Sequence, residues 1–308
     1  MSPAKAAPPP EMRAGAHALP SALGAGRVAP LPRRRSRPRP GGVVPEPSPA
    51  RITRAVKGSA NAPPKPERVD RLLSRLGYCT RAEAKRWVSA GRVVANGERV
   101  SRHDAKVAPV TTGEVLIDGE VPEAPDRLVA IMRKPLDVVC SHDPREGPSV
   151  YDLLPERWNR RNPRVEAIGR LDKDTSGLLL FTDDGDLSHR LTSPRKKVWK
   201  TYEVALDADV PEDAAEIFAA GALLLRGEKR PCAPARLTVH AGRRRATLEI
   251  TEGRFHQVRR MMASVGCVVT RLERSRFGNL DLGALEPGDV RRLDEEELER
   301  VFEGAEEG

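Results

Sequence analysis

The first apolar pattern in the chain predicts two short helices followed by a hairpin. In "ERVDRLLSRLG" (67–77) the apolar side chains recur at the spacing of one helix face, and a glycine stands where the helix can end. In "YCTRAEAKRWVSAGRV" (78–93), Thr80 and Glu83 have the spacing of a capping box that opens a helix. "RVVANGERV" (92–100) places Asn-Gly between two apolar runs, which is typical of a hairpin turn.

Further along the chain, strand-like runs are separated more often by short turns than by helices. The predicted strands are "RLVAIMRKP", "GLLLFT", "KTYEVALDA", "ARLTVHA" and "RATLEITEG". The predicted helices are "DAAEIFAAG", "HQVRRMMASVG" and "DEEELERVFEG". Strands joined by short turns favour antiparallel pairing. The predicted fold class is therefore α+β, with a small two-helix and hairpin domain followed by a larger domain built on a mainly antiparallel mixed sheet.

The charge of the chain is concentrated at its beginning. The first 66 residues hold 12 Lys/Arg against two acids, together with 15 of the 28 prolines, whereas the other 242 residues hold 41 basic and 42 acidic side chains. Such a segment buries too little apolar surface to offset its ordering entropy, so we expect 1–66 to be a disordered basic tail. A tail that binds nucleic acid weakly, an organelle transit peptide and a misplaced start codon are all consistent with it. We expect domains at 67–124 and 125–308.

Composition also restricts the location of the protein. No apolar run approaches the roughly 18 to 20 residues that a membrane helix needs, so we expect no membrane association. The four cysteines are far apart and form no C-x-x-C pair, which argues against a structural zinc site and suits a reducing cytoplasm. We expect a cytoplasmic monomer.

The candidate chemistry centres on "GRLDKDTSGLLLFTDDG" (169–185), which brackets a buried strand with acidic residues. Asp183, Asp184 and Asp186 follow the strand, where Asp and Gly are favoured in turns, so we interpret them as turn residues. Asp172 and Asp174 precede it. A D-x-D pair can bind a divalent cation, but hard cations need several oxygen ligands and no phosphate-binding loop is present. The other interpretation is a single carboxylate that acts as nucleophile or base without a metal.

Two downstream segments supply possible partners for that carboxylate. "TEGRFHQVRRMMASVG" (251–266) places Arg254, His256, Arg259 and Arg260 around the start of a predicted helix. An arginine against Asp172 would lower the pKa of that carboxylate and keep it ionised. Asp174 could be local scaffolding that bonds to neighbouring backbone N–H groups. In "SPRKKVWKTYEVALD", Tyr202 alternates with apolar residues on one strand face, as a core residue or as an aromatic plate for a nucleobase.

Residues 67–112 closely resemble the small RNA-binding module known as the S-four domain, in the order helix, capped "TRAEA" helix, glycine and "RVVANGERV". The resemblance implies that basic side chains of the second helix and of the loop after it contact RNA phosphates, which would position the protein without reading much sequence. Together with a basic loop further along the chain, the expected RNA-binding residues are Arg81, Lys85, Arg86, Arg92, Arg195 and Lys196.

The segments "GRLDKDTSGLLLFTDDG", "SPRKKVWKTYEV" and "EGRFHQVRRMMASVG", in this order behind such a module, resemble the ribosomal RNA pseudouridine synthases over residues 67–300. The resemblance implies that Asp172 is the catalytic carboxylate, that Tyr202 stacks on the target base and that Arg259 pairs with the aspartate. Leu272 is expected to line the base pocket. The residues expected to bind substrate are Arg170, Lys200, Arg254, His256 and Leu272.

That family usually has Asn-Lys-Pro-x-Gly where this chain has "RKPLD", so Arg133 and Asp137 are departures that put the local loop conformation in doubt. The resemblance implies isomerisation of uridine to pseudouridine with no cofactor and no metal, and ribosomal RNA or a pre-ribosomal particle as partner. The segments with "FHQVRR" look more like the small-subunit (16S) branch. A large-subunit enzyme and an inactive RNA-binding assembly factor remain alternatives.

Overall fold

The structure, a computed structural model, describes residues 66–108, 114–123, 126–193 and 196–303. The predicted tail (1–66) lies outside the described residues apart from Pro66, so its predicted disorder stays a prediction. Within the described residues, no helix is both long and apolar enough to cross a membrane.

The first part of the described chain, which we call the module (66–123), contains the predicted helices and hairpin. Its elements are β1 (Glu67–Arg68), α1 (Val69–Arg75), α2 (Ala84–Ser89), β2 (Val93–Ala95), β3 (Glu98–Arg99), β4 (Lys106–Val107) and β5 (Val115–Ile117). The predicted capping box forms: Thr80 N donates to the Glu83 carboxylate at 2.9 Å and Glu83 N donates to Thr80 Oγ1 at 3.3 Å. Asn96 and Gly97 both have positive φ, as the hairpin turn between β2 and β3 requires.

The rest of the chain, which we call the body (126–303), is built on one large sheet. Its strands are β6 (Val129–Lys134), β7 (Glu166–Ile168), β8 (Ser176–Thr182), β9 (Lys200–Leu206), β10 (Arg236–Val239), β11 (Arg245–Ile250), β12 (Val269–Phe277), β13 (Leu280–Asp281) and β14 (Val290–Arg292). The order is β10-β11-β9-β12-β8-β6-β14, with β13 beside β12 and β7 beside β8. The β12–β8 pair is parallel and the other pairs between these described strands are antiparallel, so the predicted α+β class with a mainly antiparallel sheet is confirmed.

Helices cover both faces of the centre of this sheet. They are α3 (Glu156–Asn159), α4 (Gly185–Thr192), α5 (Ala214–Ala219), α6 (Gln257–Ser264) and α7 (Glu295–Phe302). Leu179 and Phe181 of β8 belong to the core that contains α6, whereas Leu178 and Leu180 belong to the core that contains α4 and α7. A strand buried on both faces reads as one continuous apolar run, which explains "GLLLF".

The three acids after β8 do more than form a turn, so that prediction was wrong. Asp184 caps α4, since its side chain accepts from the N–H groups of Asp186 and Leu187. Asp183 is buried: its carboxylate forms an ion pair with Arg161 at 2.7 Å and accepts from Leu128 N at 2.7 Å. "DDG" therefore marks the start of a helix and one buried charge pair.

The module packs closely against the body at Gly77. This glycine has φ +76°, and a Cβ placed there would lie 2.0 Å from the carbonyl oxygen of Arg157. Next to it, Asn162 N donates to Arg75 O, and Arg157 donates to the hydroxyl of Tyr78 at 3.2 Å. The end of α1 thus abuts the α3 region of the body with no room for a side chain.

Candidate active site

The candidate active site is a cavity of about 250 Å³ at the loop that joins β7 to β8. All eight side chains expected to be catalytic or to bind substrate line it, although they come from distant parts of the sequence. They are Arg170, Asp172, Lys200, Tyr202, Arg254, His256, Arg259 and Leu272. The fold therefore brings together the residues on which the functional interpretation depends.

Arg274 of β12 holds the loop that carries Asp172. The sequence analysis did not identify this residue. The Arg274 side chain is buried, and its guanidinium donates to Leu178 O at 2.7 Å and to Gly169 O at 3.3 Å. Gly177 allows this approach, because a Cβ there would lie 2.3 Å from the Arg274 carbonyl oxygen. The start of β8 and the start of the loop are thereby held in one place.

Lys134, at the end of β6, fixes the other end of the same loop. Its ammonium is fully buried and donates to Pro135 O and Thr175 O, each at 2.9 Å. Burial lowers the pKa of Lys134 below its ordinary value, while the carboxylates of Asp172 and Asp174 oppose that shift. A buried cation next to the loop therefore favours negative charge on it.

The two departures from the family pattern fit this arrangement. Asp137 has φ +63°, so it keeps the left-handed backbone that a glycine would adopt, and its N–H donates to Lys173 O at 2.9 Å. Arg133 donates to the Glu273 carboxylate at 3.0 Å and to Leu285 O at 3.2 Å. Both departures thus make defined contacts within or beside this loop.

Asp172 lies at the mouth of the cavity with its side chain 37% exposed. His256 Nε2 is 3.6 Å from its Oδ1, and the His256 ring stacks on Phe255 with centroids 3.9 Å apart. The backbone of His256 is in the left-handed region with φ +48°, which histidine adopts more often than most non-glycine residues. The turn before α6 thus places the imidazole beside the carboxylate.

Arg259 is in the cavity wall, but its ion pair is with Asp174 and not with Asp172 as expected. One terminal nitrogen is 2.8 Å from Asp174 Oδ2 and donates to Asp174 O at 2.9 Å, while the other donates to Val269 O at 3.2 Å. Both Asp174 oxygens contact the same terminal nitrogen, so the carboxylate and the carbonyl oxygen of Asp174 together hold one end of the guanidinium. Asp174 thus has the structural role expected of it, but this role reaches beyond its own loop, because the ion pair ties the loop to α6.

Tyr202 of β9, Leu272 of β12 and Ile250 of β11 form the apolar wall of the cavity. Tyr202 is 8% exposed and Leu272 is 3% exposed, so each presents only one face to a ligand. A flat ring next to an aliphatic side chain in a narrow cavity suits one face and one edge of a planar base.

Lys200 is a second buried cation of this cavity, beside Arg274. Its ammonium donates to Val198 O at 3.2 Å and lies 5.2 Å from the centre of the Phe277 ring. Burial, with a smaller contribution from the neighbouring Arg274, lowers the pKa of Lys200 to about 8. The ammonium has three donors, so it can also donate to a polar group of a ligand.

The basic cluster around the start of α6 is largely neutralised. Arg254 donates to Arg230 O at 2.7 Å and pairs with Glu252 at 3.1 Å, and Arg260 pairs with Glu228 at 2.8 Å. The cluster therefore mainly builds the wall of the cavity, and Arg254 reaches the cavity as part of that wall.

The expected RNA-binding residues are on the surface where they are described. Lys85, Arg86 and Lys196 are exposed, whereas Arg195 lies outside the described residues. Arg81 pairs with Asp70 at 3.3 Å, and Arg92 forms two 2.6 Å bonds to Asp118. On the module, Lys85 and Arg86 are therefore exposed cations, whereas Arg81 and Arg92 each pair with a carboxylate.

The acids of the site do not form a metal centre: within the described ranges, no three His, Cys, Asp or Glu side chains lie close enough together to hold a metal ion. The candidate reacting groups are therefore the carboxylate of Asp172 and the side chains around it.

Comparisons with known proteins identify the family of this chain. Residues 128–264 match the family of RNA pseudouridylate synthases, and residues 67–109 match the S4 domain. The ribosomal small subunit pseudouridine synthase A of Vibrio parahaemolyticus is 40% identical over 240 residues, which cover 76% of this chain and 99% of that protein. The protein of the same name from Escherichia coli is 40% identical over 238 residues, with the same coverage. A crystal structure of a pseudouridylate synthase matches with a TM-score of 0.52 and 35% identity, and covers 76% of this chain and 99% of that one.

Proposed function

The chain belongs to the RNA pseudouridylate synthase family, and from this premise we propose that it isomerises a specific uridine of small-subunit ribosomal RNA through the carboxylate of Asp172. The observation that carries the proposal is the cavity in which this carboxylate, the Tyr202 ring and buried cations meet. The relatives that are named for the small ribosomal subunit support the choice of RNA.

The reaction breaks the bond between C1′ and N1 of uridine, rotates the uracil and joins C5 to C1′. C5 then loses its proton and N1 gains one, so the product is an isomer of the substrate. Inside a helix these atoms are out of reach, so the uridine must flip out of its stack at a cost of a few kcal/mol. In the proposed complex the uracil stacks on Tyr202 and packs against Leu272, while the Lys200 ammonium donates to a polar edge of the base. The wall thus holds the ring while its attachment to the sugar changes.

Asp172 is the proposed reacting group, either as a nucleophile towards the sugar or ring carbon or as the base that removes the 2′ proton. Its 37% exposure leaves the carboxylate open to the sugar of a flipped nucleotide. His256, 3.6 Å away, supplies a ring N–H on the open side, and Arg259 fixes the loop through Asp174. Arg259 is therefore a positioning residue in this proposal, and no metal or cofactor takes part.

The module is proposed to hold the ribosomal RNA, or a pre-ribosomal particle, through its exposed cations. Lys85 and Arg86 on α2 contact phosphates, and Lys196 of the body extends the same kind of contact. Phosphate contacts position the RNA, while the choice of uridine comes from the shape of the RNA at the cavity. We propose a cytoplasmic monomer with this arrangement.

Mapping pseudouridine tests the choice of RNA directly. Chemical modification and primer extension across both ribosomal RNAs, in cells with and without the gene, should show one small-subunit site that disappears when the gene is removed. Loss of a large-subunit site would contradict the small-subunit choice. Unchanged pseudouridine in both RNAs would instead favour an inactive assembly factor.

A further inference from the structure

A second cavity lies where the module meets the body, and we call it the junction cleft. It encloses about 780 Å³, with Tyr78, Arg81 and Trp87 on the module side and Arg160 and Asn162 on the body side. None of its lining residues lines the active-site cavity. Its volume lies within the range of cavities that hold small ligands. The junction cleft is therefore a separate candidate site.

Two aromatic rings in the junction cleft are held in fixed positions. Tyr78 and Trp87 meet edge to face, with centroids 5.8 Å apart and planes at 71°. The guanidinium of Arg92 lies 3.4 Å from the centre of the Trp87 ring, and Asp118 fixes it there with two hydrogen bonds. Trp87 also lines a smaller neighbouring cavity together with Arg92, so it borders two open spaces. Rings ordered in this way lose little entropy when a planar group stacks on them.

Arginine side chains surround these rings. Arg81 and Arg160 are 59% and 61% exposed at the junction cleft, and each has one carboxylate partner, Asp70 and Glu156 respectively. Arg86 is exposed on the neighbouring cavity. The acid that lines both spaces is Glu83, whose carboxylate accepts from Thr80 N and Thr80 Oγ1 at the start of the second helix. Burial raises the pKa of the Cys79 thiol to about 11, so this side chain adds no negative charge at neutral pH. A guanidinium has five N–H donors, so Arg81 and Arg160 keep donors that can bind the oxygens of a phosphate.

We propose that the junction cleft binds an unpaired nucleotide of the RNA, with its base stacked on Trp87 and its phosphates near Arg81 and Arg160. Aromatic faces within a positively charged groove are the combination that binds single-stranded nucleic acid. The inference rests on the proposed function, because it takes the same RNA to occupy both cavities. The target uridine enters the active site while a second nucleotide is held at the junction, so the distance between the two cavities helps to select the uridine.

The first test removes the aromatic face of Trp87 and keeps its bulk. Trp87→Leu should weaken binding of the in vitro transcribed small-subunit ribosomal RNA roughly tenfold, since one stacked base contributes at this level. Trp87→Phe, which keeps an aromatic face, should restore most of the affinity. Trp199→Leu is the matched control, because Trp199 also carries an arginine at 4.1 Å but lies outside the junction cleft. Wild-type affinity of a folded Trp87→Leu protein would overturn the inference, and so would equal weakening by Trp199→Leu.

A second test uses the unaltered protein, so it does not depend on whether a variant folds. The same transcript carrying sparse 5-iodouridine is irradiated in complex with the protein, and cross-linked peptides should contain Trp87 or Tyr78. Cross-links confined to the active-site cavity would overturn the inference. A short single-stranded oligouridylate should likewise bind more tightly than its abasic counterpart, and this difference should disappear in Trp87→Leu. Equal binding of the two oligonucleotides would mean that phosphate contacts alone hold the RNA, and it would overturn the inference.

The two proposals fail in different ways. If the wild-type protein forms no pseudouridine in the transcript under conditions where it binds, the proposed function fails. If it forms pseudouridine and Trp87→Leu has the wild-type affinity and KM, only the junction nucleotide is refuted.

Discussion

Replacing Lys200 with methionine is expected to stabilise the fold and to weaken catalysis. Lys200 is 6% exposed, and its ammonium donates to Val198 O at 3.2 Å. Methionine has a similar length and no charge, so it can fill the same space between β9 and the Phe277 ring. The substitution therefore removes the cost of a buried cation and leaves the packing nearly unchanged.

The size of the stability effect follows from the pKa of Lys200, which burial lowers from 10.5 to about 8. At 1.36 kcal/mol for each pKa unit, burial of the charged form costs about 3 kcal/mol. Loss of one hydrogen bond and of the contact with the ring offsets about 1–2 kcal/mol of this. We therefore expect Lys200→Met to raise the free energy of unfolding by about 1–2 kcal/mol at pH 7.

The same shift sets the pH dependence. Below pH 8 the lysine is protonated in both the folded and the unfolded protein, so the wild type bears the full cost. Between about pH 8 and 10.5 the folded protein has lost this proton while the unfolded chain retains it, and the stability of the wild type rises relative to the variant. The advantage of Lys200→Met should therefore shrink as the pH rises through this interval.

Urea unfolding at several pH values measures the effect, with Lys229→Met as the matched control because Lys229 is exposed. The control should change the free energy of unfolding by less than about 0.5 kcal/mol. Activity of Lys200→Met on RNA should fall roughly ten- to a hundredfold, the value of a hydrogen bond from a charged donor. A destabilised variant at pH 7, or a stability difference that does not change with pH, would refute the reasoning.

Three further predictions concern the framework. In thermal unfolding, Gly77→Ala should lower the free energy of unfolding by about 1–3 kcal/mol and weaken the contact between module and body, because its Cβ would meet a carbonyl oxygen at 2.0 Å. The control Gly97→Ala should lower it less, because Gly97 has a similar φ and no atom within 4 Å of an added Cβ. Asp70→Asn should destabilise the protein at pH 7, because a hydrogen bond from Arg68 lowers the pKa of Asp70 from 3.8 to about 2. In acid unfolding, the stability difference between variant and wild type should disappear between about pH 4 and 2, and a difference that persists at pH 2 would contradict this. Arg161→Met should cost about 3–5 kcal/mol in urea unfolding, since it leaves the Asp183 carboxylate buried without its cation, and Asp183→Asn in the same chain should recover part of it.

Local signals predicted the elements that depend on neighbouring residues alone. The capping box at Thr80 and the Asn96-Gly97 turn are set by bonds within a few residues, and both form as expected. The central strand β8 was also predictable, because burial on both faces leaves only apolar residues in its middle. Each of these features is determined by a short stretch of sequence.

The elements that were missed depend on partners elsewhere in the chain. Strand β12, "VTRLERSRF", looks polar because its buried Arg274 is satisfied by carbonyl oxygens of a distant loop. Helix α4 was hidden because "DDG" suggests a turn, although Leu187 and Leu191 lie one helical turn apart and could have indicated it.

Within the site, sequence identified the residues of the cavity but not which of them pair. Asp172 and Asp174 are two residues apart, and spacing alone does not say which carboxylate the Arg259 guanidinium reaches. The loop geometry decides, because Asp174 presents both its carboxylate and its carbonyl oxygen to Arg259. The same geometry leaves His256 beside Asp172.

The most direct test of the central claim is the turnover of Asp172→Asn on RNA labelled with tritium at C5 of uridine, since this hydrogen is lost when C5 joins C1′. Asp174→Asn is the matched control, because its side chain is 64% exposed and does not line the cavity. We predict that Asp172→Asn binds the RNA like the wild type and releases no tritium, while Asp174→Asn still turns over at a reduced rate. Tritium release by Asp172→Asn at a rate near that of the wild type would contradict the account.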